Sequence, residues 1–266
     1  QDSLMSLFHS FAGIVVQEVD PERKSGLKEY LDDAMLAFSQ PVELSVTFLD
    51  EGSQYGPIAG HVLDLLLLGH KEQASKYILE TVNAGTSIRD CYLKIIQPLQ
   101  YEIGRLWHAG KISVGQEHYV TAASQMIMSQ FYPAIMDHPS SGKRIVTACI
   151  SGEQHELGLR MVSDLLELEG WDTMFLGANT PLSTIPETVL EWKAGLLAIS
   201  VTLSTHLDKL EQLIQLCRIQ TPATKIMVGG YPFNLDKHLW HKMGADGYAD
   251  DAVSTIGVAG KLLAGA

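Results

Sequence analysis

The run Arg144-Ile145-Val146-Thr147-Ala148-Cys149-Ile150, which passes directly into Ser151-Gly152-Glu153-Gln154-His155-Glu156-Leu157-Gly158, decides how this chain is read. The first seven residues are almost wholly apolar and end at a polar, glycine-containing loop. That is the pattern of a strand covered on both faces. An amphipathic segment, His155 to Leu168, follows it. The same alternation continues towards the C-terminus. Further strand candidates are Asp172 to Leu176, Leu196 to Thr202 and Lys225 to Val228, with a short fifth near Gly247-Tyr248. Each is followed by a helical pattern: Pro181 to Trp192, Leu207 to Ile219, Leu235 to Met243 and Asp251 to Leu263, with Thr180-Pro181 as an N-cap and first helical position. Five strands alternating with helices predict a doubly wound, parallel α/β sheet over residues 143–266.

Before this unit, Asp137 to Gly142 is a polar linker, and residues 58–137 carry helical periodicity. Ile58 to Leu68 is apolar enough to be buried on most sides. Lys71 to Val82 is amphipathic and closes at Asn83-Ala84-Gly85. Ser87 caps a long segment to Trp107, with a kink expected at Pro98. Ser113 and Gln116 form a capping-box pattern opening a last helix to about Ile135. Short connections imply an up-and-down four-helix bundle. Residues 1–57 read as an N-terminal extension, mostly helical, with an alternating and therefore extended piece from Val42 to Phe48.

The balance of 31 acidic against 19 basic residues gives a net charge of −12. With no Lys/Arg cluster, direct nucleic-acid binding is excluded as an expectation. Cys91, Cys149 and Cys217 form no CxxC pair, which fits buried thiols in a reducing cytoplasm. The longest apolar run, Val62 to Leu68, is too short to span a membrane, and the acidic start lacks the basic flank of a signal peptide.

In an open parallel sheet, ligands bind beyond the carboxyl ends of the strands where strand order reverses. With flavodoxin-like order, that point lies between the first and third strands. Three loops there carry unusual residues: Glu153 to Gly158, then Ser200-Val201-Thr202-Leu203, then Gly229-Gly230. A neutral imidazole such as His155 can bind a metal through one ring nitrogen if a carboxylate fixes the other, and Glu153 is placed for that. Gly158, Gly229 and Gly230 admit something bulky close to backbone. His61, His70, His206, His238 and His241 read as satisfied or solvated residues, with His206 a solvated helix start. Met126 and Met128 read as bundle core.

Glu-x-His-x-x-Gly, Ser-x-Thr-Leu and Gly-Gly, in a five-stranded domain behind a helical bundle, resemble the cobalamin-binding module shared by methionine synthase and corrinoid methyl-carrier proteins. The resemblance covers residues 58–266. It implies that His155 is the lower cobalt ligand and Glu153 its tuning partner, although the methyl-transferring members usually carry Asp there. It also implies that Ser200, Thr202, Leu203, Gly229 and Gly230 line the channel for the cofactor's nucleotide tail, and that the bundle caps the corrin's upper face. A second motif, Trp107 followed after nine residues by Glu117-His118, resembles the signature of cobalamin-dependent photoreceptors of the CarH and AerR type. On that resemblance Trp107 and Glu117 contact an adenosyl group on adenosylcobalamin, and His108 is a cobalt ligand after photolysis, with His118 beside them. The function expected is a light sensor, not an enzyme, signalling to a regulatory partner protein or through a homo-oligomer. Without a basic helix-turn-helix it is closer to the AerR type, and its extension leaves room for a linear tetrapyrrole such as biliverdin. The alternative is a corrinoid methyl-carrier component of a methyltransferase system.

Overall fold

The computed structural model describes Leu31 and residues 46–264. The expectations for the N-terminal extension fall on residues that are, apart from these, outside the described ones. The bundle is built from α1 (Gly56–Leu67), α2 (Lys71–Asn83), α3 (Ile88–Asp90), a π-helical stretch (Cys91–Ile96), α4 (Gln97–His108), α5 (Val114–Ser129) and α6 (Tyr132–Ile135). The capping box forms as the sequence predicts: the Gln116 amide donates to the Ser113 hydroxyl at 3.2 Å and the Ser113 amide to the Gln116 side-chain oxygen at 3.0 Å. Ser87 likewise caps α3, accepting from the Asp90 amide at 3.0 Å.

The long third helix runs without a break from Ile88 to His108 as α3, the π-helical stretch and α4, and Pro98, where a kink was expected, follows directly on the π-helical stretch, in which the Gln97 amide donates to the Tyr92 carbonyl. One helix expectation needs correction. The last helix stops at Ser129 rather than running unbroken to Ile135. Pro133 falls in the first turn of a separate four-residue helix, so the break falls where proline is tolerated.

The α/β part has β1 (Arg144–Cys149), α7 (Leu157–Leu168), β2 (Asp172–Phe175), α8 (Thr184–Trp192), β3 (Leu196–Ser200), α9 (Leu207–Gln220), β4 (Lys225–Gly229), α10 (Tyr231–Leu235), α11 (Leu239–Lys242), β5 (Gly247–Ala249) and α12 (Ala252–Ala264). All neighbouring strands are parallel, in the order β2-β1-β3-β4-β5. This is the expected flavodoxin-like order, with its switch point between β1 and β3. Thr180-Pro181 does not cap α8. The Thr180 hydroxyl donates to the Gly177 carbonyl at 3.2 Å instead, and the helix begins three residues later. Of the helix expected over Leu235 to Met243 only α11 (Leu239–Lys242) forms; α10 ends at Leu235, and between them the Asp236 carboxylate accepts from the His238 amide.

The strands bury alternate side chains on opposite faces, and both faces are covered. Val146, Ala148, Leu197, Ile199 and Val228 pack with Val189 of α8 and Leu213 of α9. Ile145, Leu196, Ala198 and Met227 pack with Leu166 of α7 and Ala259 of α12. A second face of α7, formed by Leu157, Met161 and Leu165, enters the bundle core beside Tyr92, Ile95 and Ile127. The bundle and the sheet therefore share one helix. Cys91, Cys149 and Cys217 are all buried, as free thiols.

That shared face holds a buried polar pair. The Tyr92 hydroxyl, from the π-helical stretch, donates to Asp164 of α7 at 2.8 Å, and both residues are nearly or fully buried. Burial pushes the Asp164 carboxyl from its ordinary 3.8 up to about 6; the Tyr92 bond opposes this and Glu167 adds to it. The sign follows directly. Below pH 4 the carboxyl is neutral in both states and costs nothing. Above pH 6 it is charged in both, and the folded state bears the cost. Wild-type stability should therefore fall by roughly 3 kcal/mol as pH rises through that window. Asp164→Asn, which keeps an acceptor for Tyr92, should match wild type at pH 4 and exceed it at pH 7.5 in urea unfolding. Equal midpoints at both pH values would contradict this.

Candidate functional site

The switch-point loops converge on one carboxylate. Glu153 follows β1 and is completely buried. Its Oε1 accepts from the His155 ring Nδ1 at 2.5 Å and from the His155 amide at 3.1 Å. Its Oε2 accepts from the amides of Thr202 at 2.8 Å and Leu203 at 3.2 Å, in the loop after β3, and lies 3.2 Å from Nδ1 of His206. Burial alone would raise this carboxyl. The His155 ring, the Thr202 and His155 amides and the His206 ring outweigh it and hold Glu153 well below the usual carboxylate range. An ionised carboxylate only accepts, so both rings present Nδ1–H to it.

Glu153 is braced from the β2 side as well. Asn179, in the left-handed conformation that Asn tolerates, accepts the Gly152 amide on its side chain at 2.8 Å and donates its own amide to the Glu153 carbonyl at 2.9 Å. The next carboxylate along, Glu156, bridges two layers. It accepts from Gln125 of α5 at 2.9 Å and from the Ala178 amide after β2 at 2.7 Å.

The longer Glu, where Asp was the pattern, reaches the ring without difficulty. His155 donates Nδ1–H to Glu153, while its Nε2 has no protein partner among the described residues, and the side chain is 55% exposed. The Glu153 hydrogen bond raises the ring's pKa, burial opposes it, and Glu117 of α5 adds to the rise through space. The ring thus offers one outward lone pair with its tautomer fixed from behind, which is what a metal-binding imidazole needs. Among the described residues no group of three or more His, Cys, Asp or Glu is arranged to hold a bare ion. A metal met by this single donor keeps its other positions for other ligands, as a macrocycle's metal does.

The other residues that the sequence singles out divide. Ser200 and Gly229 pair side by side in register, with Cys149 opposite Ser200, at the carboxyl ends of β1, β3 and β4. Leu203, in the loop after β3, and Tyr231, the first residue of α10, are exposed apolar residues close to them in the chain. A Cβ on Gly158 would meet nothing within 4 Å, so the start of α7 is open. Gly230 has a reason within the fold itself: a Cβ there would lie 2.0 Å from the Val201 carbonyl oxygen, so it admits its own neighbouring chain. Trp107 is 43% exposed and packs against His108 at 4.7 Å between ring centroids. Among the described residues no hydrogen bond, ion pair or ring contact joins either to Glu153 or His155. Glu117 bonds to His118, its exposed neighbour, and accepts from the Thr121 hydroxyl at 3.0 Å. Met128 is buried, but Met126 lies at the surface.

His206 is a neighbour of the site that sequence reasoning read as a solvated helix start. Its side chain is only 13% exposed and faces Glu153, not solvent. The available signal was chemical: a buried carboxylate has two oxygens, and the sequence pattern supplied donors to only one.

Residues 143–256 match the family model of a B12-binding domain, and residues 59–132 match a second model with the same description. Dimethylamine corrinoid protein 1 of Methanosarcina mazei is 28% identical over 172 residues, 62% of this chain and 77% of its own. The HTH-type transcriptional repressor CarH of Myxococcus xanthus is 26% identical over 155 residues, 58% of this chain but 51% of its own. The solved structure of the monomethylamine corrinoid protein of Methanosarcina barkeri superposes with a TM-score of 0.68 at 21% identity. It covers 77% of this chain and 98% of its own, a likeness of fold.

These relatives overturn the expected light sensor. The likeness runs to dimethylamine corrinoid proteins over most of their length, and to CarH over about half of it. The motif that pointed to light sensing has local work in this fold: Trp107 and His108 cover each other at a helix end, and Glu117 is engaged by His118 and Thr121. Among the described residues no helix is long and apolar enough to cross a membrane.

Proposed function

We propose that this chain, whose residues 59–132 and 143–256 match B12-binding domain models, is a corrinoid methyl-carrier, the component of a methyltransferase system that holds a methyl group between partner enzymes. The observation that carries this reading is the His155 ring, fixed through Nδ1 by buried Glu153 and bare at Nε2. A corrinoid held there supplies a cobalt centre that accepts and gives up the methyl group. The protein's part would be to present His155 Nε2 to that centre. Glu153 keeps the ring in the tautomer that leaves that lone pair free. Ser200 and Gly229, at the strand ends, and the exposed Leu203 and Tyr231 close to them in the chain offer a partly apolar edge for the rest of the ligand. The partner is a methyltransferase protein, and the relatives named for dimethylamine corrinoid proteins support that class of system.

The full chain should retain methylcobalamin through gel filtration in the dark. It should then hand the methyl group to a thiol when a corrinoid:thiol methyltransferase is added, read as loss of methylcobalamin absorption. His155→Ala should lower corrinoid affinity by more than the roughly 10- to 100-fold that loss of an outer-shell partner costs. Retention by the alanine variant at wild-type affinity, or a methyl group that no such enzyme removes, would overturn the reading.

A further inference from the structure

We propose that Asn179 is a positioning residue for the His155 ring, acting through the backbone of the loop that carries it; this rests on the methyl-carrier reading and deepens it. Two observations support it independently. The first is where that loop is held. It leaves β1 in a turn closed by the Glu153 amide, which donates to the Ile150 carbonyl at 2.9 Å, with Gly152 inside the turn at φ +92°. The Asn179 side-chain oxygen accepts from the Gly152 amide at 2.8 Å, and the Asn179 amide donates to the Glu153 carbonyl at 2.9 Å. On the far side of His155, the Glu156 carboxylate accepts from the Ala178 amide at 2.7 Å. The imidazole is thus slung between two anchors, and both belong to the turn after β2.

The second observation is the backbone at position 179. Asn179 has φ 53°. Among the described residues the only other non-glycine at positive φ is Lys193, which closes α8. No helix ends at Asn179, so the ordinary reason for a left-handed residue is absent. The residue adopts that conformation while its amide and its side chain both reach the β1 loop, and Asn is among the few side chains that tolerate it.

The side chain's role is separable from the backbone's. Glycine accepts the same φ but has no side-chain acceptor. Aspartate keeps an acceptor on the same stem and also tolerates the left-handed region. If the acceptor does the positioning, Asp preserves it and Gly does not.

In the full chain free of corrinoid, hydrogen exchange followed by NMR should show the His155 amide protected, since it donates to the Glu153 carboxylate. Asn179→Gly should speed that exchange about tenfold, although the bond it removes is at Gly152; Asn179→Asp should keep it slow. In parallel, binding of cob(II)alamin should weaken about tenfold in Asn179→Gly, with loss of the nitrogen splitting in its EPR spectrum. Both should return in Asn179→Asp. Thermal unfolding identifies any variant that fails to fold, and the wild-type measurement needs none of them: a His155 amide exchanging at the rate of an open chain overturns the proposal. So does a folded Asn179→Gly with wild-type exchange or wild-type nitrogen splitting. A folded Asn179→Asp that behaves as the glycine variant overturns it too, because the acceptor would then have no part. Failure of the wild-type chain to bind cob(II)alamin would instead overturn the methyl-carrier reading, because the exchange measurement contains no corrinoid.

Discussion

Glu153→Ala will lower corrinoid affinity about 10- to 100-fold and destabilise the chain by roughly 3–5 kcal/mol. Both effects come from one side chain because it has two faces. Towards His155 it fixes the tautomer; without it the ring is free to carry its proton on Nε2, the nitrogen needed for the metal. Towards the sheet it satisfies the Thr202 and Leu203 amides. Left unpaired, each of these part-buried amides costs up to about 1–3 kcal/mol, the full figure applying only where water cannot reach it. The alanine variant also gains something, since a buried charge no longer has to be desolvated. Five donors meet that charge, however, so the loss dominates. Glu153→Asp separates the two effects: a shorter carboxylate cannot reach the His155 ring and the β3 loop together. It should recover part of the affinity or part of the stability, not both. Isothermal titration with hydroxocobalamin and urea unfolding provide the two numbers. An alanine variant within twofold of wild-type affinity would remove Glu153 from the site.

The second large effect is expected from a residue whose side-chain space is taken by its own neighbouring chain. Gly230 has φ +107° and ψ 177°, a region essentially reserved for glycine. An added Cβ would stand 2.0 Å from the Val201 carbonyl oxygen and 2.8 Å from its carbon. Both atoms are backbone, in a chain that is itself paired, since the Val201 amide donates to the Gly229 carbonyl at 3.0 Å. Neither can yield without disturbing the β3–β4 edge. Gly230→Ala should therefore lose more than about 4 kcal/mol, measured by urea unfolding, or fail to accumulate as folded protein. Gly158→Ala is the contrast, with open space around the new methyl group, and its unfolding midpoint should stay within about 0.5 kcal/mol of wild type. A mild Gly230→Ala would show that the loop after β4 has another way to pass β3.

The sheet and the centre of the site were readable because each rests on a strong local signal. β1, β3 and β4 are apolar runs buried on two sides, and the order found is the flavodoxin-like one, among the two common in doubly wound sheets, that the sequence reading adopted. The Glu153–His155 pair was readable because two residues of spacing in one loop suffice to bring carboxylate and ring together. What sequence reasoning could not reach depended on partners distant along the chain. His206 lies 53 residues from Glu153, and a histidine at a helix start carries no local mark of burial. Gln125 and Glu156 are ordinary polar residues until the bundle and the sheet are placed side by side. The π-helical stretch has no sequence rule of its own; it sits where Tyr92 turns inward to reach Asp164. The light-sensor expectation failed for the opposite reason. A spacing of nine residues across one helical hairpin is easily shared by proteins with different tasks.

One peptide separates His155 from Glu156, and Glu156 is grasped by Gln125 on one side and by the Ala178 amide on the other. The imidazole consequently stands beside a mechanical junction where the helical layer and the strand layer pull on the same short stretch of backbone. A displacement of α5 is therefore felt, through Gln125, at the residue adjoining the ring.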